Sequence, residues 1–356
     1  MNPIRLLTKL AIPRPASGAQ KRMRFCRGNR GEVPAYDASS PWLPRVSLPD
    51  GRGCQQTPLL SVLAILALSA GLCQAAELPK ESGSFPFTVP QTGKKMTVFS
   101  YRPPNADADS PVVFVLTGVR RNADDYRNAW IENARKNNLI AIVPRFAKTD
   151  YPGADGYNLG NMENIATHRL NPKGQWSFSV IDDLFADLQQ QGITRQHGYY
   201  LFGNSAGCQF VHRMLTFMPE ANVKAAVCAA AGWWTLPDVE NPWPYGLKNA
   251  PVEVSKKQLA DYFAKPMLIT VGEKDNDPYH PLLRRSYQAM AQGDSRLVRA
   301  KNYFLTARQQ ARHDKIDLNW RFTTVPDVGH NGTKMSAYAA EQFAWFERHG
   351  EFKLRP

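Results

Sequence analysis

The sequence predicts an α/β fold in which helices cover both faces of a mostly parallel β-sheet. Short runs of strand-forming residues alternate with stretches of helical periodicity along most of the chain. Several of the runs are apolar throughout, which is typical of parallel strands buried on both faces. The alternation indicates crossover connections between strands, and we find no internal repeat.

The α/β pattern starts near residue 85. Its first half is predicted to begin with a β-hairpin, followed by two buried strands and two helices. The predicted elements are residues 85–89 and 96–101 for the hairpin, 111–116 and 139–143 for the strands, and 122–136 and 176–191 for the helices. Asn122 is expected to cap its helix, because two aspartates follow in the first turn. An irregular stretch, residues 144–174, is long enough to suggest a functional loop.

The second half continues the alternation and ends with a helix. Strands are predicted at residues 199–202, 223–230, 266–271 and 320–325, and helices at about 206–217, within 281–313, and at 336–348. Between the second and third of these strands lies an irregular aromatic insertion, residues 231–255. We expect residues 77–356 to form a single domain carrying this small insertion.

The net charge of +13 is unevenly distributed and does not predict nucleic-acid binding. Residues 1–54 hold ten basic and three acidic side chains, whereas the 280 residues from Glu77 onward carry an excess of only six positive charges. No dense basic run occurs in that larger part, so we interpret its charge as an ordinary solvated surface. We therefore expect no nucleic-acid partner.

Residues 55–76 are predicted to be a signal peptide. Their apolar run, residues 59–72, has 14 residues and ends in small side chains, whereas a membrane span needs about 20. A buried helix is the alternative interpretation. The preceding residues 1–54 are rich in Pro, Arg and Gly, so we expect a disordered extension or a true translation start further downstream. The mature protein would then be secreted or periplasmic, with no membrane span.

The pentapeptide Gly203-Asn204-Ser205-Ala206-Gly207 follows a predicted strand and opens a predicted helix. A serine in G-x-S-x-G at such a junction is typical of a nucleophile elbow, a tight turn that exposes the hydroxyl. A Cβ at either glycine would collide with the neighbouring strand or helix. A chain of this length contains the pattern by chance roughly one time in ten, so the nucleophile needs support from partner residues.

An acid and a histidine follow two later strands, in the order that an elbow serine requires. Asp275 comes three residues after the strand that ends near Gly272, and His330 lies on the loop behind the last strand. Asp277 is an acidic alternative to Asp275, although Asp275 lies nearer the strand end. Backbone N–H groups of Val119 and Ala206 are the expected donors to the oxyanion that acyl attack creates.

Two further features of the sequence bear on metal or redox chemistry. The grouping of Asp275, Asp277 and His280 matches no familiar metal-site spacing, so we predict no metal site. Of the five cysteines, Cys208 and Cys228 lie in the predicted domain. A disulfide between them and two buried free thiols remain equally acceptable.

The segments "VFVLTGVRRNADDYRNAW", "GNSAG", "VGEKDNDP" and "VPDVGHNG" resemble the α/β-hydrolase superfamily, most closely its exported poly(3-hydroxybutyrate) depolymerases and feruloyl-esterase-like serine esterases. The resemblance covers about residues 111–348. It implies a cofactor-independent hydrolase of small-molecule or polymeric carboxylic esters, with Ser205 as nucleophile, His330 as base and Asp275 as orienting acid. It also implies Val119 and Ala206 as oxyanion donors, although many members have His-Gly where this sequence has Thr117-Gly118.

The substrate pocket is less well defined by the sequence. Trp233 and Trp234 follow a strand directly, and Tyr157 lies in the long loop, so all three are expected to line the pocket. A small cap packed on its own aromatic residues is the alternative for the tryptophans. Two rival functions also remain, a serine peptidase on the same fold and a catalytically inactive binding protein.

Overall fold

A computed structural model describes residues 78–354, so the predicted signal peptide and the extension before it lie outside the described residues. The strands are β1 (Glu81–Thr88), β2 (Lys95–Arg102), β3 (Val112–Leu116), β4 (Ile140–Pro144), β5 (Glu163–Asn164), β6 (Arg169–Leu170), β7 (Tyr199–Asn204), β8 (Val223–Ala229), β9 (Met267–Gly272) and β10 (Trp320–Val325). The α-helices are α1 (Ala123–Asn137), α2 (Ser179–Gln190), α3 (Ala206–Phe217), α4 (Lys256–Ala264), α5 (Tyr287–Ala291), α6 (Arg296–Asp314) and α7 (Gly332–His349).

Eight strands form one sheet in the order β1-β2-β4-β3-β7-β8-β9-β10. The β1–β2 and β2–β4 pairs are antiparallel, and every other pair in this sheet is parallel. Strands β3, β4, β7 and β9 are buried along their whole length, as their continuous apolar sequences predict. The predicted fold class is therefore confirmed.

Helices pack on both faces of the sheet and divide the core in two. Trp130 of α1 and Phe343 of α7 stack at 6.5 Å between ring centroids, and both helices bury their apolar side chains on one face. The opposite face is covered by α2, α3, α4 and α6, and it contains most of the remaining aromatic side chains. No described helix is long and apolar enough to cross a bilayer.

Three local predictions need correction. Helix α4 was not predicted; its start is fixed by Ser255, which accepts a hydrogen bond from Gln258 N in a capping box. Residues 281–286 are not helical, and the helical region there begins only at Tyr287. Asn122 does not cap α1, because its side-chain amide donates to Asp125 Oδ2 at 2.6 Å instead of accepting from the helix backbone.

Candidate active site

Ser205 occupies a strained turn between β7 and α3. Its φ is 57° and its ψ is −114°, a conformation that non-glycine residues rarely adopt. The flanking glycines make the turn possible: a Cβ on Gly203 would lie 2.2 Å from Gly207 O, and one on Gly207 would lie 2.0 Å from Leu116 O. The predicted steric reason for both glycines is thus confirmed, and the turn presents Ser205 at the carboxyl edge of the sheet.

Asp275 and His330 meet at the same edge. Asp275 follows β9, His330 follows β10, and His330 Nδ1 lies 2.7 Å from Asp275 Oδ2. Asp275 is buried, whereas Asp277 is exposed and accepts a hydrogen bond from Tyr279 N in its own turn. Of the two acids that the sequence left as alternatives, the structure therefore brings only Asp275 to the histidine.

A buried arginine holds the second oxygen of Asp275. Arg296, at the start of α6, places Nη1 3.1 Å from Asp275 Oδ1, and both side chains are almost fully buried. Burial by itself would raise the pKa of Asp275. The hydrogen bonds and positive charges of His330 and Arg296 outweigh burial, and the pKa of the carboxyl is lowered. Asp275 is thus kept ionised in a fixed orientation.

The loop after β3 provides backbone donors beside Ser205. Residues 118–121 form a turn closed by Arg121 N donating to Gly118 O at 3.1 Å. The N–H groups of Val119 and Ala206 donate to no acceptor in the described part of the chain. Both residues border the space in front of Ser205. Two unoccupied donors at this place are suited to a developing oxyanion.

Two side chains fix this loop. Arg121 is buried and donates to Phe146 O at 2.9 Å and Gly153 O at 2.8 Å, so it ties the loop to the long segment before α2. Tyr126 Oη, from α1, accepts hydrogen bonds from Gly118 N and Asn204 Nδ2, each at 3.1 Å. Tyr126 therefore links the oxyanion loop to the elbow.

Two cavities meet at Ser205. The histidine cavity, of about 910 Å³, is lined by Ser205, His280 and His330 together with Tyr126 and the start of α7. The arginine cavity, of about 540 Å³, lies on the other side. Its lining residues include Arg121, Lys148, Asn158, Ala206, Gln209, Trp233 and Arg284. Both cavities share Val119, Pro281 and Leu282 as well as Ser205, so they form a cleft with two arms.

Uncompensated positive charge surrounds the arginine cavity. Two guanidinium groups lie over the ring of Trp233. The guanidinium carbon of Arg213 is 4.2 Å from the ring centroid, and that of Arg284 is 5.3 Å from it. Arg213 is fully buried, and burial lowers its pKa to about 9. Its hydrogen bonds go to Thr235 Oγ1 and to the carbonyls of Asn158 and Gln209. Neither these two arginines nor Arg121 pairs with a carboxylate of the described residues, so the positive charge around this cavity is not neutralised by an ion pair.

Of the three aromatic residues that were expected to line the pocket, one lies at a cavity and two are buried in the core. Trp233 lines the arginine cavity. Trp234 instead stacks on Tyr303 at 4.1 Å between centroids, deep in the core. Tyr157 is also fully buried, and its hydroxyl donates to Thr117 O at 2.8 Å. The prediction that Trp234 and Tyr157 line the pocket is therefore wrong, because both rings fill space between the sheet and its covering helices.

Cys208 and Cys228 form a disulfide that joins α3 to β8. His212 lies close to both sulfurs. The potential ligand atoms of Cys208, His212 and Cys228 all lie within 4.8 Å of one another, which is a spacing that could suit a metal ion. In a disulfide neither sulfur is a thiolate, and the thiolate is the form of cysteine that binds metal ions. We therefore interpret the group as a structural cross-link beneath the elbow.

The sequence analysis assigned no role to three residues that organise the site: Tyr126, His280 and Arg296. Tyr126 could have been suspected because it lies one turn into the helix that follows the oxyanion loop. His280 follows the strand-end acid by five residues. Arg296 had no local signal, since it lies 21 residues after Asp275 along the chain, with α5 between them.

No protein-family model and no curated protein sequence matches the chain. Poly(aspartic acid) hydrolase-1 from Sphingomonas sp. KT-1 is 35% identical, with 75% of this chain and 100% of that chain covered and a TM-score of 0.71. LpqC, a poly(3-hydroxybutyrate) depolymerase from Bordetella parapertussis, is 31% identical over 78% and 93% of the two chains, with a TM-score of 0.70.

A more distant structure agrees on the fold. S-formylglutathione hydrolase from Agrobacterium tumefaciens is 15% identical, with 77% and 98% of the chains covered and a TM-score of 0.52. The two closer relatives have the identity and coverage that membership of a common family requires. The chain therefore belongs to the α/β-hydrolase superfamily, in the group that contains LpqC and poly(aspartic acid) hydrolase-1, and it is a hydrolase.

Proposed function

We propose that this protein is a serine hydrolase that cleaves carboxylic esters through an acyl-enzyme. The observation that carries the proposal is the 2.7 Å contact between His330 Nδ1 and buried Asp275, in a cavity that Ser205 shares with His330. In this arrangement the carboxylate fixes the histidine tautomer, so His330 Nε2 is unprotonated and can act as the base.

The proposed reaction has two halves. Ser205 Oγ attacks the ester carbonyl while His330 Nε2 accepts its proton, and the carbonyl oxygen becomes negative between the N–H groups of Val119 and Ala206. His330 then gives the proton to the departing alcohol. Water, activated by the same histidine, releases the acid and restores Ser205. Asp275 stays ionised and stabilises the imidazolium in both halves.

The proposed substrates are short-chain or polymeric hydroxyacyl esters. The cleft with two arms can hold chain on both sides of the scissile bond, which suits a substrate longer than one acyl unit. LpqC, at 31% identity, is described as a poly(3-hydroxybutyrate) depolymerase. Cleavage of an internal ester bond in such a chain is the reaction that these features favour.

We also propose that the protein is exported, to the periplasm or the exterior. The Cys208–Cys228 disulfide supports this, because structural disulfides are rare where the cytoplasm keeps thiols reduced. Fractionation of the native source and N-terminal sequencing would test it. Reduced, unprocessed protein in the cytoplasm would contradict export without affecting the proposed chemistry.

The direct test is hydrolysis of p-nitrophenyl esters of increasing acyl length by the oxidised protein. Ser205→Ala should lower kcat/KM by about 10⁴-fold or more, whereas Ser84→Ala, at an exposed position of β1, should match the wild type. A fluorophosphonate probe should label the wild type and Ser84→Ala only. An unlabelled wild type with no esterase activity would favour the inactive binding protein.

A second candidate is hydrolysis of amide bonds in a carboxylate-rich polymer. It is favoured by the positive wall of the arginine cavity, and poly(aspartic acid) hydrolase-1 is named for such a substrate. The test compares release of free amines from poly(aspartic acid) with release of acid from 3-hydroxybutyrate oligomers. Faster Ser205-dependent cleavage of the polyamide would reverse the order of the two candidates and would also favour the peptidase interpretation.

A further inference from the structure

A second histidine, His280, borders the histidine cavity and has no role in the triad. It follows Asp275 on the loop after β9, and its ring lies edge-on to His330 at 5.2 Å between centroids. His280 is partly buried, so one part of the ring faces protein while another faces the cavity. Its position beside the proposed base makes its protonation state important for what the cavity can bind.

Two hydrogen-bond donors converge on one nitrogen of this ring. Arg296 Nη2 lies 3.3 Å from His280 Nδ1, and Leu282 N donates to the same atom at 3.2 Å. A guanidinium group and a backbone amide can only donate hydrogen bonds. His280 Nδ1 must therefore be the acceptor, so it carries no proton.

The ring proton consequently sits on Nε2. His280 Nε2 has no hydrogen-bond partner in the part of the chain that the structure describes, so its N–H is available for a ligand. Burial, followed by the electrostatic effects of Arg296 and His330, lowers the pKa of His280 and favours the neutral ring. Asp275 and Asp277 act in the opposite direction but do not prevail.

The proposed reaction decides which part of the substrate lies near His280. The alcohol must depart beside His330, because His330 returns the proton to its oxygen. The acyl carbonyl is held by Val119 and Ala206, and Ala206 borders the arginine cavity. The alcohol portion of the ester therefore lies in the histidine cavity.

We propose that His280 is a specificity-determining residue that donates a hydrogen bond from Nε2 to an acceptor oxygen on the departing alcohol, such as the carbonyl of the next hydroxyacyl unit. This inference rests on the proposed ester hydrolysis and adds to it a preference for leaving groups that carry a carbonyl. Arg296 then has two functions, because one guanidinium group orients both Asp275 and His280.

Two matched esters test the proposal. Methyl 3-(butanoyloxy)butanoate has a carbonyl on its departing alcohol, and sec-butyl butanoate has the same branching without one. Release of butanoate gives kcat/KM for both, and their ratio cancels general losses in folding or chemistry. The variants His280→Gln and His280→Asn separate the two ring nitrogens. Gln keeps a donor near the Nε2 position, whereas Asn keeps an acceptor near the Nδ1 position.

The expected result is a ratio that falls about tenfold in His280→Asn and stays within about twofold of the wild-type ratio in His280→Gln. The exposed variant His313→Asn on α6 is the control and should leave both rates unchanged. An unchanged ratio in His280→Asn, or equal falls in both variants, would overturn the role of Nε2. A wild type that cleaves neither ester, without fluorophosphonate labelling, would instead contradict the proposed function itself.

Discussion

The histidine cavity and the arginine cavity meet at one serine but differ in their electrostatics. On the histidine side, Arg296 Nη1 pairs with the carboxylate of Asp275, and Arg296 Nη2 donates to His280 Nδ1. On the arginine side, Arg213 is fully buried and has only neutral acceptors. One side therefore presents directed, nearly neutral hydrogen-bond donors, and the other presents net positive charge.

This difference separates the reaction from its selectivity. Arg121, Lys148 and Arg284 line the arginine cavity, and fully buried Arg213 lies against Trp233 of the same wall, so this side presents positive charge to a ligand. The position of Ser205, by contrast, is determined by the end of β7 and by the two glycines that flank it. We infer that the junction of the two cavities, formed by Ser205, His330 and Asp275, determines the chemistry. Each cavity then determines what is bound on its side of the scissile bond.

The largest expected effect comes from breaking the junction that both cavities share. Asp275→Asn should lower kcat/KM by about 10⁴-fold for every ester, because the wrong histidine tautomer would then be favoured. Asp277→Asn, at the exposed neighbouring acid, should change it by less than about twofold. Steady-state kinetics with neutral and anionic acyl groups measures both variants. Loss for only one acyl class would show that the cavities do not share this junction.

The next effect concerns the support of the arginine cavity. The disulfide anchors α3, which carries Gln209 and Arg213, to β8. Its removal in Cys208→Ala/Cys228→Ala should reduce the free energy of unfolding by about 3 kcal/mol, since it closes a loop with a separation of 20 residues. Urea denaturation measures the change. The wild type with dithiothreitol should converge on the double variant, and a difference that persists would point to packing instead of the cross-link.

A smaller effect should distinguish the charges of the two cavities. Replacing Lys148 and Arg284 by methionine removes two cations from the rim of the arginine cavity. The kcat/KM for an ester of succinate should fall about tenfold relative to that for the matching butanoate ester, because a charged acyl group loses its attraction. The same preference in the wild type should weaken with added salt.

The control for that comparison is Arg312→Met, an exposed arginine on α6 that lines neither cavity. It should leave the succinate preference unchanged. Equal losses for both acyl groups in the Lys148 and Arg284 variant would assign these cations to folding, and the positive wall would then have no role in selectivity.

The sequence was sufficient to predict the features that depend on residues close together along the chain. Continuous apolar runs predicted the buried strands, and the two glycines around Ser205 predicted the turn. The order of residues at the strand ends predicted Asp275 and His330 as partners, and in the structure Asp275 Oδ2 lies 2.7 Å from His330 Nδ1. These features depend on neighbours in sequence and on the general geometry of a parallel sheet.

What could not be predicted depends on long-range packing. The buried position of Trp234 follows from stacking on Tyr303, which lies 69 residues further along the chain. Arg296 and Arg213 look like surface residues of amphipathic helices until their partners are known. Irregular segments around residues 144–174 and 231–255 bring these groups together, and no periodicity encodes how such segments fold back.

The smallest expected effect is on stability in acid, and it should involve the histidine cavity alone. The pKa of Asp275 is lower in the folded chain than its ordinary value of 3.8, so its ionised form stabilises the fold at pH values above about 4. That contribution is lost as the pH falls below 3.8 and through the folded pKa. The arginine cavity has no carboxylate beside Arg213 to titrate. The difference in unfolding free energy between wild type and Asp275→Asn should therefore narrow between pH 5 and pH 3, as measured by urea denaturation. A difference that stays constant over this range would mean that the Asp275–Arg296 pair contributes no pH-dependent stability.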